Sequence, residues 1–305
     1  MRKLLMSVLW MLFAGATFAQ QKDVLLFSYF KGNGEDGLHL AWSEDGYNWK
    51  SLRGDSSFLK PTAGKDKLMR DPCIIQGPDG LFHMVWTVSW HEKTIGYASS
   101  KDLVHWSGQQ NVPVMAHENA SNCWAPEITY DAKKKQYVIY WATTIPGRFP
   151  ATDTLGDNNH RMYYVTTKDF KTYTKAQLLY DQGFNVIDAT IQPDGKRYLM
   201  FLKDETVKPV PQKKLYLVTS NKLTSGYGKP TTPITGNYWA EGPTAIKIGN
   251  TWMVYFDKYT QHKYGVVTST DLVNWKDESD RLSMPKGIRH GTVLKVKREV
   301  VDRLQ

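Results

Sequence analysis

Residues 289–296 read RHGTVLKV, a charged opening followed by apolar residues that alternate with polar ones, the pattern of a strand with one buried face. Four earlier stretches open in the same way: RDPCII from Arg70, WAPEITY from Trp124, VIDATIQ from Val186 and WAEGPTAIKI from Trp239. After each of those four comes an apolar strand rich in aromatics: residues 82–88 (FHMVWTV), 137–143 (YVIYWAT), 197–203 (RYLMFLK) and 252–258 (WMVYFDK). A further strand then runs into a Ser/Thr-x-Asp turn and an aromatic, as in SKDLVHW ending at Trp106, TKDFKTY at Tyr173 and STDLVNW at Trp275. TSNKLTSGYG, residues 219–228, is a degenerate copy.

The stretch at 289–296 has no such followers. They stand instead at the other end of the chain, as VLLFSYF at 24–30 and SEDGYNW ending at Trp49, without an opening strand of their own. The two ends therefore complete one repeat together. Asp71, Glu127, Asp188, Glu241 and His290 follow one another at 56, 61, 53 and 49 residues, intervals that suit a four-stranded blade. The reading is an all-β protein, a five-bladed β-propeller whose last blade is closed by the N- and C-terminal strands. Such closure leaves no free sheet edge between first and last blades. Residues 20–305 are read as a single propeller domain.

Residues 1–19 carry Arg2 and Lys3, an apolar run from Leu4 to Phe13, and small residues at Ala16 and Ala19. This is the pattern of an export signal, which implies a periplasmic or secreted protein with no membrane attachment once the signal is removed. Cys73 and Cys123 are too few for a disulfide framework and read as buried thiols, although an oxidising compartment permits one bridge. The net charge is +9, but the basic residues are scattered without a dense tract, which argues against nucleic acid as a partner. The eight histidines show no H-E-x-x-H spacing, and no C-x-x-C occurs, so a catalytic metal is not expected.

In a propeller the opening strand of each blade lines the axis, so the four carboxylates and His290 are expected to converge at one end of the channel. The connections between second and third strands return to that rim. They include two longer inserts, residues 144–160 and 204–213, and shorter ones carrying Trp90, His91, Tyr259 and His262. A single such acid is most simply a cap on backbone amides. Four at corresponding places in different blades call for a use. Glycoside hydrolysis needs one acid to protonate the leaving oxygen and a second carboxylate on the opposite face of the sugar, about 6.5–9.5 Å away where that group activates water. A third carboxylate nearby is expected to keep the acid protonated near neutral pH.

Taken in order, RDP at Asp71, WAPE at Glu127, VIDA at Asp188, EGP at Glu241 and RHG at His290 resemble family 43 glycoside hydrolases, five-bladed propellers that act on arabinose-, xylose- and galactose-containing glycans. The resemblance covers essentially the whole chain after residue 19. It implies Asp71 as general base, Glu241 as general acid, Asp188 as the residue that tunes the acid's pKa, and inversion at the anomeric carbon. It further implies Glu127 and His290 in the substrate site, with a structural Ca2+ conceivable near His290 and no cofactor required. Arg289 beside His290 and the stacking candidates Trp90, Trp124 and Trp239 complete the substrate-binding set. Two departures from the family pattern bear on substrate: IDA stands where IDP is common, and half a blade precedes the DP motif.

The implied activity is exo-acting removal of terminal α-L-arabinofuranosyl groups from a plant-type polysaccharide or oligosaccharide by a monomeric enzyme. β-Xylosidase and exo-β-galactosidase activities compete with it. A fructan-cleaving propeller is disfavoured because no W-x-N-D-P-N segment occurs. A non-catalytic glycan-binding propeller is the alternative of a different class, since fold alone implies no activity.

Overall fold

The computed structural model describes residues 23–156 and 158–305. The export-signal reading of residues 1–19 lies outside the described residues. The chain forms β1 (Asp23–Tyr29), β2 (His39–Ser43) and β3 (Lys50–Ser51) of a first sheet. A second sheet follows with β4 (Arg70–Gln76), β5 (Phe82–Thr87), β6 (Ile95–Ser100) and β7 (Gln110–Val112). The third comprises β8 (Trp124–Asp131), β9 (Gln136–Thr144), β10 (His160–Thr167) and β11 (Gln177–Tyr180). The fourth has β12 (Val186–Asp194), β13 (Arg197–Asp204) and β14 (Leu215–Ser220). The fifth has β15 (Glu241–Ile248), β16 (Thr251–Lys258), β17 (Lys263–Ser269) and β18 (Lys276–Asp277). Then β19 (Gly291–Lys297) returns to pair antiparallel with β1, Tyr29 opposite Gly291 and Asp23 opposite Lys297.

These are the blades of a five-bladed propeller, and the split terminal blade is the one the sequence repeats require. The innermost strands β19, β4, β8, β12 and β15 neighbour one another in that order and close the ring.

The apolar second strands are hydrophobic on both faces because each blade is covered on both sides. Tyr137, Ile139 and Trp141 of β9 face the second blade, while Val138, Tyr140 and Ala142 face the fourth. In β16, Met253 and Tyr255 pack toward Phe27 and Trp49 of the terminal blade, and Trp252, Val254 and Phe256 toward Phe201 of the fourth. Five junctions thus hold five separate cores, each built from the period-two alternation of two neighbouring strands. Emptying one, as by Trp141→Ala, costs about 3–5 kcal/mol. Cys73 and Cys123 are both free and buried in one of these cores.

The Ser/Thr-x-Asp turns close each outer hairpin by one device. Asp102 Oδ1 accepts the N–H groups of Val104 and His105, and Ser100 Oγ that of Leu103, whose φ is +66°. Asp45, Asp169 and Asp271 repeat the arrangement. The fourth blade has Ser220 in the place of Ser100 but Lys222 in the place of Asp102, and among the described residues it has three strands rather than the four its repeat length suggests. Thr231 and Ile234 do donate to Leu217 and Leu215 along the outer edge of β14. Pro230 and Pro233, which carry no N–H, interrupt that segment and prevent a regular ladder.

Candidate active site

Four of the five inner strands begin with the same irregularity. Register shifts fall between Arg70 and Cys73, Trp124 and Glu127, Ile187 and Thr190, and Glu241 and Thr244. Within each lies one residue of left-handed backbone: Asp71 (φ +52°), Ala125 (φ +45°), Asp188 (φ +52°) and Gly242 (φ +59°). Such bulges bend the strand end and re-aim its side chains. Three are followed by proline, Pro72, Pro126 and Pro243, which fits a position that gives no hydrogen bond to a ladder.

This register corrects the expectation that the four acids stand at equivalent places. Asp71 and Asp188 are equivalent, Glu241 precedes the bulge residue by one position, and Glu127 lies two positions beyond it. Asp71, Asp188 and Glu241 open onto one cavity of about 490 Å³, together with Trp90, Trp124, Arg289 and His290. Glu127 is buried deeper along the channel and lines a different recess on the far side of the ring, beside Cys73 and Ile128. Its Oε2 accepts from Tyr140 and its Oε1 has no partner; burial pushes its carboxyl up to about 7. Trp239 also falls outside the cavity. It sits in the loop before β15, 41 % exposed, with its ring 6.0 Å from that of Tyr259.

The bulges also tie neighbouring blades together. Gly242 N–H donates to Asp188 Oδ2 at 3.0 Å. Between the second and third blades the same link passes through a hydroxyl: Ala125 N–H donates to Thr87 Oγ1, and Thr87 Oγ1 donates to Asp71 Oδ2, each at 2.8 Å. Glycine is required at 242 because a Cβ there would lie 2.4 Å from His290 Cγ.

His290 Nδ1 lies 3.3 Å from Asp71 Oδ1. Burial opposes charge on Asp71, but His290, Arg70 and the Thr87 hydroxyl outweigh it, and the carboxyl is held below its ordinary value. Burial likewise opposes the imidazolium, yet Asp71, Asp188 and Glu127 raise His290 to about 9. Asp188 is raised to about 6 by burial, and the negative charges of Glu241 and Asp71 add to this against His290 and Lys203.

Glu241 departs from expectation. Its Oε2 accepts from Lys203 Nζ at 3.1 Å and its Oε1 from Arg289 at 3.0 Å. These cations outweigh burial and lower its pKa, so a neighbouring acid does not keep Glu241 protonated in the free site. The protonatable neighbours are Asp188 and Asp257, which accepts from Arg289 Nε and is raised by burial to about 6.

Sequence reasoning missed Lys203, Asp257 and Thr87. All three occupy one register position, the end of the second strand, opposite Ile187, Glu241 and Arg70 respectively. A polar residue closing an otherwise apolar run was the available signal; the third blade has Ala142 there. The rim inserts behave as expected, with Asn158 and Glu205 reaching the cavity and Glu205 bound by both Lys203 and Lys213.

The cavity's aromatic wall is assembled from three blades. The Arg70 guanidinium lies 4.2 Å from the Trp90 ring centre and 4.7 Å from that of Phe30. Asn33 Oδ1 accepts from both Arg70 and Trp90 Nε1, and its amide nitrogen donates to Glu35. Trp124 meets Trp90 edge-on at 5.4 Å and donates its indole N–H to the Trp90 carbonyl.

His290 Nδ1 faces Asp71, and among the described residues no three His, Cys, Asp or Glu side chains are gathered to hold a metal ion. No described helix is long and apolar enough to cross a membrane.

Residues 22–302 match a family described as a probable glycosyl hydrolase domain, related to glycoside hydrolase family 43. An α-L-arabinofuranosidase of Bifidobacterium longum subsp. longum is 28 % identical over 201 residues, which are 57 % of this chain. The matched part is only 18 % of that relative. Among solved structures, a thermostable family-43 glycoside hydrolase aligns with TM-score 0.55 at 15 % identity, covering 68 % of this chain and 71 % of that one. An α-L-arabinofuranosidase from Lactobacillus brevis aligns with TM-score 0.53 at 20 % identity, covering 69 % and 72 %. A family-43 β-1,3-galactosidase with galactodeoxynojirimycin aligns with TM-score 0.54 at 13 % identity, covering 72 % and 79 %. At these identities the structural likeness speaks for the fold.

Proposed function

The chain belongs to the family-43-related glycoside hydrolases, and from that premise we propose that it removes terminal α-L-arabinofuranosyl groups from plant-type glycans with inversion, as an exported monomer. The observation that carries this reading is the meeting of Asp71, Asp188 and Glu241, from three different blades, in one sugar-sized cavity. The arabinofuranosidase names of the matched relative and of one structural neighbour support the choice of sugar. The galactosidase neighbour keeps exo-β-galactosidase activity as the competing specificity, and β-xylosidase activity competes within the same family.

Asp71 is the general base. His290 and Thr87 hold it ionised and fix both oxygens, as a group that must take a proton from water requires. Glu241 is the general acid, and the free site holds it as a carboxylate. A sugar ring filling the cavity displaces water and offers oxygens to Lys203 and Arg289. Both changes raise the pKa of Glu241 and let it take up the proton that Asp188 holds up to about pH 6. A second reading has Asp188 itself donate to the leaving oxygen, because its pKa is raised and neither Lys203 nor Arg289 bonds to it.

Aryl glycosides decide between them. Removal of the general acid spares substrates whose leaving group needs no proton. Glu241→Gln is therefore expected to lose about 100-fold or more on a poor leaving group and far less on a dinitrophenolate. Asp188→Asn is expected to lose activity on both alike; the reverse pattern assigns the acid to Asp188. The first-formed sugar from an α-arabinofuranoside should be β by NMR, and an α product would remove Asp71 from the role of base.

A further inference from the structure

A second cavity of about 730 Å³ opens on the same rim, between the fifth and terminal blades. Its walls are the β16–β17 connection and the segment that leads into β19, with Lys258, His262, Lys263, Lys286 and Arg289 among its lining. Two of these cations are already committed: Lys258 Nζ lies 3.1 Å from Asp277, and Arg289 is held by Asp257 and Glu241. Lys263 and Lys286 have no ion-pair partner among the described residues. Asp280 on the same wall offsets one of the two charges.

Arg289 and its partner Asp257 connect this cavity to the catalytic one. Arg289 lines both, with Nη2 on Glu241 and Nε on Asp257, which lines the second cavity. Tyr259 also lines the second cavity, and its ring receives Lys203 Nζ at 4.7 Å on the catalytic side and Trp239 on the solvent side. A glycan whose terminal sugar occupies the first cavity would thus find an aromatic rim and then two unpaired lysines as it leaves.

We infer that the second cavity binds an anionic group of the glycan, a uronate carboxylate or a sulfate ester, on the part of the substrate that carries the cleaved sugar. The inference rests on the hydrolytic reading for its orientation, but binding tests it without turnover. The full chain carrying Asp71→Asn would be titrated with oligosaccharides that differ only in a neutral, uronate or sulfated unit next to the terminal sugar. At low salt at least one acidic ligand is expected to bind roughly five- to tenfold tighter than the neutral one, and the stronger of the two identifies the source of the charge. The advantage should shrink toward unity in 0.5 M salt, on the order of a fourfold-or-greater change in screening-sensitive attraction, and in Lys263→Ala/Lys286→Ala. Both lysines are solvent-exposed, so their removal leaves the cores intact. Equal affinities for all three ligands, or an advantage that persists in the double variant, would overturn the inference. If the acidic ligands bind tighter and the wild-type chain hydrolyses none of these oligosaccharides, the inference is upheld and the hydrolytic reading sinks instead.

Discussion

Asp71 and His290 are 3.3 Å apart across the junction of the second and terminal blades, and each opposes the other's tendency to lose charge on burial. The pair gives two opposite titrations. His290, ordinarily near 6.5, titrates at about 9 in the fold, so the folded chain keeps a proton that the unfolded chain gives up between those values. Its contribution to stability is complete below about pH 6.5 and disappears as pH rises through about 9. His290→Asn should abolish that decline in Tm. It should also move the acidic limb of kcat/KM to higher pH, because burial then acts on Asp71 without the imidazolium. An unmoved acidic limb would show that Asp71 is not the titrating base.

Glu127 offers a test in the other direction. Its carboxyl, raised to about 7 by burial, binds a proton in the fold that the unfolded chain loses near 4.5. Stability contributed by this group is therefore lost as pH rises through about 7. Glu127→Gln should stabilise the protein at pH 8 by roughly 2–3 kcal/mol and have little effect at pH 4. Denaturant titration at the two pH values reads this directly, and a variant less stable at pH 8 would mean that the charge has a partner the burial argument overlooks.

Asn33 is the common acceptor for Arg70 and Trp90, and its loss should loosen the aromatic wall without touching the carboxylates. Asn33→Ala is expected to raise KM roughly tenfold while kcat stays within about twofold, the mark of binding energy shared by ground and transition states. Steady-state kinetics on the best aryl glycoside supplies the split. A fall in kcat at constant KM would place Asn33 in transition-state stabilisation.

Much of the fold was legible because a propeller imposes burial on both faces of its second strands, and that turns them into unbroken apolar runs such as FHMVWT and YVIYWAT. The shared terminal blade was legible from the order of the repeats alone. Asp71, Asp188 and Glu241 were found because a carboxylate before a strand has little reason to recur. Glu127 stands apart because RDP, WAPE and EGP correspond by their prolines and not by their acids. Aligned on Pro72, Pro126 and Pro243, they put Ala125, not Glu127, in the place of Asp71. Lys203 escaped notice at the end of an apolar strand, because its partner in the catalytic cavity, Glu241, comes from the next blade and leaves no local trace. Pro230 and Pro233 were visible throughout, yet only the edge they interrupt shows why one blade lacks its outer strand.

The pairing of β19 with β1 has a consequence for how this protein comes to work. Arg289 and His290 immediately precede the final strand, so one of the two cations that grip Glu241 and the imidazole beside Asp71 both arrive with the last piece of the ring. A chain with four blades finished has its acids and Lys203 but lacks Arg289 and His290. Maturation of the chemistry is thereby coupled to the last topological event of folding, and a protein cut short before that event is expected to be inert as well as unstable.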